Sequence, residues 1–173
     1  MQNVELERVF LLKNLPKDLN SYKPIEIEIG EFSDPNIVDV LKIRKLGEKY
    51  QLIKKEGDTA FKRLEHVIYI KKEEYDRIIK QTISVHKKIR YLYPVGNYEC
   101  EIDFYQNKLL GYVRGEVEFK TETEMKNFTP PDWFGEEITE FNHDIHSDLS
   151  KISFEEIKER YKKHDIELTP IFK

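Results

Sequence analysis

Apolar and charged residues alternate through most of the first two thirds of the chain. The runs are Val4 to Leu12, Ile25 to Ile29, Ile37 to Arg44, Lys49 to Lys55, Arg63 to Ile70, Lys88 to Leu92, Tyr98 to Phe104 and Leu110 to Phe119. A period of two is the signature of a strand with unlike faces, so these runs predict eight strands. Elsewhere the period changes. Lys72 to Lys80 sets Tyr75, Ile78 and Ile79 on one helical stripe, and Thr121 with Glu124 forms a capping box ahead of a second short helix. A third helix, about 154–163, is announced by Ser153 and Glu156, with Phe154, Ile157 and Tyr161 along one face. It is expected across the exterior of the sheet structure or over one of its mouths. Pro130 and Pro131 end the second helix and lead into Asp132-Trp133-Phe134-Gly135, which has no period of its own. Trp133 and Phe134 are read there as an aromatic plug.

Residues two apart on a strand share a face, so parity separates two surfaces. Glu5 and Glu7 oppose Leu6, Phe10 and Leu12, with Arg8 the exception on the apolar side. Lys42 and Arg44 oppose Leu41 and Ile43; Arg63 and Glu65 oppose Leu64, Ile68 and Ile70; Lys88 and Arg90 oppose Ile89 and Tyr91. Glu99, Glu101 and Asp103 oppose Cys100, Ile102 and Phe104, and Arg114, Glu116 and Glu118 oppose Val117 and Phe119. A sheet with one face in water would give a similar alternation. It would not give like charges two apart, nor acids gathered on strands one, seven and eight with bases on three and six, because such grouping costs energy unless counter-ions relieve it. Acid clusters invite hard divalent cations and base clusters invite phosphate. The pattern therefore predicts a closed antiparallel β domain with a charged inner face.

Composition narrows this further. With 29 basic and 33 acidic residues the net charge is −4, which disfavours nucleic acid as a whole-surface partner. No apolar run approaches the ~20 residues that span a bilayer, so no membrane association is expected and a cytoplasmic location is. The length of 173 residues fits one domain, 1–173. Cys100 is the single cysteine, read as core packing, and excludes an internal disulfide. His143 and His146 are three apart but lack a third ligand, and Gly47-Glu48-Lys49 is a hairpin turn, not a phosphate-binding loop.

An ordered series of short motifs resembles the CYTH superfamily, the triphosphate tunnel metalloenzymes. It opens with Glu5-Leu6-Glu7-Arg8-Val9-Phe10-Leu11 and continues through Lys42-Ile43-Arg44, Gly47 to Tyr50, Lys55-Glu56-Gly57, Arg63-Leu64-Glu65 and Lys88-Ile89-Arg90-Tyr91. Glu101-Ile102-Asp103, Glu116-Val117-Glu118-Phe119 and Trp133-Phe134-Gly135-Glu136-Glu137-Ile138-Thr139 complete it. The last segment is most similar to small bacterial tripolyphosphatases. The resemblance implies a mainly β (α+β) fold, a closed eight-stranded antiparallel β-barrel or tunnel with a few flanking helices. It also implies a metal-dependent triphosphatase using Mg²⁺ or Mn²⁺ on inorganic tripolyphosphate or another triphosphate, as a monomer or homodimer.

By matched position, Lys42, Arg44, Lys55, Arg63, Lys88 and Arg90 would grip phosphate. Glu5 and Glu7 would be catalytic, and Glu5, Glu7, Glu65, Glu101, Asp103, Glu116 and Glu118 would hold metal ions or position water. Val9 stands where the family carries lysine, Val67 where it repeats glutamate, and Ile29 where it has a polar residue; Asn142, His143, Asp144 and His146 replace its usual positions after Thr139. Val9 and Val67 both point inward by parity, so one base and one acid leave the lumen together. Arg114, on the face of Glu116 and Glu118, would supply the missing cation; otherwise it lies at the rim facing water. Alternative readings are a weakened polyphosphate- or nucleotide-binding module, a nucleoside or thiamine triphosphatase, or an adenylate cyclase of the same superfamily.

Overall fold

The computed structural model describes residues 2–32, 40–57, 59–141 and 149–173. The strands are β1 (Gln2–Leu12), β2 (Ile25–Glu31), β3 (Val40–Leu46), β4 (Lys49–Glu56), β5 (Lys62–Ile70), β6 (Ser84–Val95), β7 (Tyr98–Tyr105), β8 (Val113–Phe119) and β9 (Phe134–Glu137). Neighbouring strands run in the order β5-β4-β3-β2-β6-β7-β8-β1-β9, and a further β5–β1 pairing closes the first eight into a barrel. Every pairing is antiparallel. The helices are α1 (Lys72–Ile78), α2 (Glu122–Asn127) and α3 (Phe154–Lys162), the last two begun by the capping boxes of Thr121 with Glu124 and Ser153 with Glu156.

The eight expected strands are present with shifted ends. β6 starts at Ser84, four residues before the expected Lys88, and β8 starts at Val113 because Asn107–Leu109 forms a 3-10 turn. The start of the third run, at Ile37, lies outside the described residues, as do Asn142, His143, Asp144 and His146. The segment expected to lack regular structure contributes β9, paired to the end of β1.

Two apolar clusters hold the barrel. The first covers the outer face along β1, β7 and β8 and joins Leu6, Phe10, Cys100, Ile102, Val117 and Phe119 to Phe128 and Phe134. Phe134 stacks at 4.9 Å from Phe10 and Trp133 lies edge-on to Tyr93, so this aromatic pair packs on the outside and does not plug a mouth. The reason is parity: Phe10 and Leu12 point outward and need a cover there. Arg8, the misfit of that face, donates to Glu137 at 2.6 and 2.9 Å and to the carbonyl oxygens of Met125 and Phe128, and so ties α2 and β9 to β1. On β2, a Cβ at Gly30 would come within 2.5 Å of Ile79 Cδ1, so glycine lets the end of the α1 hairpin sit against the barrel wall.

The second cluster joins the inward residues Val9, Leu11 and Tyr105 to Tyr112, Ile138, Leu149, Ile152, Ile157, Tyr161 and Leu168. Helix α3 therefore caps one end of the barrel beside β1, β7 and β8, one of its two expected positions. Its Tyr161 hydroxyl lies 2.7 Å from that of Tyr112.

Candidate active site

Strand tilt displaces the pairing register from one strand to the next, so the inward side chains fall into rings across the barrel. Following the register round, Glu7, Glu116, Asp103, Lys88, Ile29, Lys42, Lys55 and Arg63 share one ring. On the side away from α3 the next ring carries Glu5, Glu118, Glu101, Arg90, Arg44 and Glu65. On the α3 side it carries Val9, Arg114, Tyr105 and His86. All the candidate phosphate- and metal-binding residues thus line one lumen. Arg114 is only 8% exposed, so it belongs to the lining and not to a rim in water.

The side chains are knitted by ion pairs. Lys55 donates to both Glu5 oxygens at 2.5 and 2.6 Å, and Arg63 meets Glu7 directly and lies 3.6 Å from Glu5. Asp103 accepts from Nε and Nη2 of Arg90, each at 2.7 Å, and also pairs with Lys88. Arg90 reaches Glu101 and, at 3.0 Å, Glu116, while Arg114 holds the other Glu116 oxygen at 2.5 Å. Glu65 stands 3.8 Å from Lys55.

Two bases stand apart from this network. Among the described residues neither Lys42 nor Arg44 has a carboxylate within ion-pair distance; Arg44 donates to the Gln51 side-chain oxygen at 2.8 Å. Burial, together with Lys55 and Arg44, pushes the Lys42 ammonium well below its usual range. The Arg63 Nε is buried without a hydrogen-bond partner among the described residues. Such an excess of unsatisfied donors is what an anion would relieve.

The acidic wall has the opposite character. Burial and the neighbouring carboxylates raise Glu7; Glu118, which is exposed at the edge of the acidic wall, is raised to about 7 by partial desolvation followed by Glu5 and Glu116. Burial lifts Glu101 to about 8 in spite of Arg90. Hard oxygen donors crowded in this way fit a hard divalent cation. No three of them converge on a single point among the described residues, because Lys55 and Arg63 occupy Glu5 and Glu7 while Arg90 and Lys88 occupy Asp103.

A chain that is 30% identical over 139 residues, covering 79% of this chain and 89% of its own length, is an inorganic triphosphatase of Nitrosomonas europaea. The chain belongs to the CYTH family of triphosphate tunnel proteins. A second inorganic triphosphatase, from Acetivibrio thermocellus, is 28% identical over 121 residues, covering 69% of this chain and 76% of its own. A crystal structure of an inorganic triphosphatase superposes with a TM-score of 0.61 at 26% identity, over 84% of this chain and 93% of that one. A protein from Pyrococcus horikoshii shares the fold, with a TM-score of 0.53 at 20% identity over 70% of this chain and 82% of its own. No family model matches the chain.

Within the CYTH barrel the departures at Val9 and Val67 do not form a compensating pair. Val9 is fully buried in the cluster under α3, whereas Val67 pairs with Ile53 on the far side of the two charged rings. Sequence reasoning missed three polar lining residues, His86, Gln51 and Tyr105. His86 was legible as the inward position two before Lys88, had the sixth strand been extended back to Ser84.

Proposed function

We propose that this protein hydrolyses a linear triphosphate, with inorganic tripolyphosphate as its substrate. The observation that carries the reading is the pair of lumen bases, Lys42 and Arg44, which among the described residues have no carboxylate within ion-pair distance, beside Lys55, Arg63, Lys88 and Arg90. The wall carries donors suited to phosphate oxygens, and among the described residues no lumen feature selects an organic group, which favours the inorganic chain over a nucleotide. Relatives named inorganic triphosphatase support the same choice.

In this reading Lys42 and Arg44 take the phosphate chain first. Its negative charge then competes with Glu5 and Glu7 for Lys55 and Arg63, freeing carboxylate oxygens on the opposite wall. Those oxygens, with Glu65, Glu118 and the Glu116 oxygens that Arg90 and Arg114 would yield to the phosphate chain, would hold a divalent ion, Mg²⁺ or Mn²⁺; Glu101 and Asp103 stay engaged with Arg90 and Lys88. When bound, that ion would neutralise charge developing on the phosphoryl oxygens. Glu5 and Glu7 orient the attacking water and accept its proton as its oxygen bonds the terminal phosphorus. The P–O bond to the rest of the chain breaks, and the surrounding cations stabilise the transferring phosphoryl group and the departing pyrophosphate. Asp103 clamps Arg90 and Lys88 so that both present their donors at fixed positions.

A cytoplasmic protein acting as a monomer or homodimer, without nucleic acid or membrane, completes the reading. The net charge of −4 disfavours nucleic acid as a whole-surface partner, and among the described residues no helix is long and apolar enough to cross a membrane. The test is phosphate release from tripolyphosphate with added Mg²⁺ or Mn²⁺ and with a chelator. Metal-dependent release is expected. Tight calorimetric binding with no release would instead establish a binding module.

A further inference from the structure

The substrate site leaves one lining residue without a role. His86 lies on β6 two residues before Lys88, is 9% exposed, and has a buried Nδ1 with no hydrogen-bond partner among the described residues. Buried polar atoms in native proteins are nearly always satisfied, and an orphan in an anion-binding lumen marks a place for a ligand atom. Its ring lies against Tyr105, with centroids 6.2 Å apart and planes 28° apart, which sets its orientation. The register places it in the ring on the α3 side of the charged network, where Val9 offers no polar atom and Arg114 and His86 are the basic side chains.

Burial, reinforced by Lys88, Lys42 and Arg114, pushes the imidazole down to about 3, so it is neutral at any ordinary working pH. Neutrality has a physical use. A further ammonium here would repel Lys42, Lys88 and Arg114 in the empty lumen, whereas an imidazole provides a hydrogen bond without adding charge.

We infer that His86 is a phosphate-binding residue: its imidazole hydrogen-bonds an oxygen of the phosphate group lying nearest α3, and with Arg114 it fixes how deep the chain sits. This rests on the triphosphate reading above and adds the residue that receives the inner end of the substrate. It also assigns Val9 a consequence, since the apolar side chain leaves this end of the chain held by an imidazole and a guanidinium.

The experiment compares wild type, His86→Leu and His86→Gln, with tripolyphosphate as the probe in calorimetry and in phosphate-release kinetics, and thermal melts on all three. Loss of a hydrogen bond to a charged group predicts weaker binding and a higher KM in His86→Leu by about tenfold or more. Most of that is recovered in His86→Gln, with kcat little changed. Recovery by glutamine is what a merely structural histidine would not show. If His86→Leu does not fold, ¹⁵N spectra of histidine-labelled wild type decide: the His86 ring nitrogens, assigned from their loss in His86→Gln, shift on addition of tripolyphosphate. Equal KM in wild type and His86→Leu, or ring nitrogens unmoved at saturation, overturns the inference alone. Wild type that neither binds nor cleaves tripolyphosphate overturns the functional reading from which it started.

Discussion

Along β1, β7 and β8 the two faces of the barrel wall are both largely buried, yet they are built on opposite terms. Outside, Phe10, Cys100, Ile102, Val117 and Phe119 pack against Phe128 and Phe134. Inside, and often on the very next residue, Asp103, Glu116, Lys88 and Arg90 are buried at 9% exposure or less. The outer face gains stability from every contact. The inner face spends it, because desolvating a charge is rarely repaid in full by its partner. A fold that keeps such a lining holds it for what it binds, and the difference is open to experiment.

The largest effect is expected at the junction of the inner network. Asp103→Ala leaves Arg90 and Lys88 buried without their shared carboxylate, and denaturant unfolding should show a loss of about 3–5 kcal/mol. A loss below about 1 kcal/mol would mean that the cations find other partners and the network is slack.

Next comes Lys42, where the two faces should part company. Lys42→Met removes a base with no carboxylate within ion-pair distance among the described residues, so tripolyphosphate turnover is expected to fall about a hundredfold or more while the melting temperature stays level or rises. A melting temperature that falls in step with activity would assign Lys42 to the scaffold.

The outer face supplies the control. Ile102→Val should cost about 0.5–1.5 kcal/mol in denaturant titration and leave kcat as in wild type. Altered kcat would show that the jacket sets the spacing of the lining.

The smallest effect concerns Glu118. Its folded pKa of about 7 lies above its ordinary 4.5, so the folded state holds a proton that the unfolded chain has released, and stability is lost as pH rises through that window. The melting temperature of wild type should match that of Glu118→Gln below about pH 4.5 and drop behind it by pH 8. Parallel curves across that range would remove Glu118 from the crowded acid wall.

Parity carried most of this architecture in the sequence. The opposition of Glu5 and Glu7 to Leu6 and Phe10, and of Lys88 and Arg90 to Ile89 and Tyr91, is a local property of a strand and survives without neighbours. What parity does not contain is the height of each residue along the barrel axis, which depends on tilt and register among strands distant in sequence. Val9 and Val67 therefore read as one balanced exchange, although they lie on opposite sides of the charged rings. Trp133 and Phe134 were misread for a related reason: the outward apolar side of β1 needed a cover, and only tertiary packing shows that this segment provides it. His86 was lost to a strand boundary, the least certain quantity in any periodic reading.

The short strand β9 has a consequence of its own. β1 is bonded to β5 only from Gln2 to Leu6, and its last residues would otherwise present bare amide and carbonyl groups to solvent on that flank. β9 pairs at Phe10 and Leu12 and is pinned by the Arg8 guanidinium, so it dresses the gap. A naked strand border is a template for intermolecular sheet growth. Cutting the Arg8–Glu137 tether would therefore first be felt as self-association of the chain in concentrated solution.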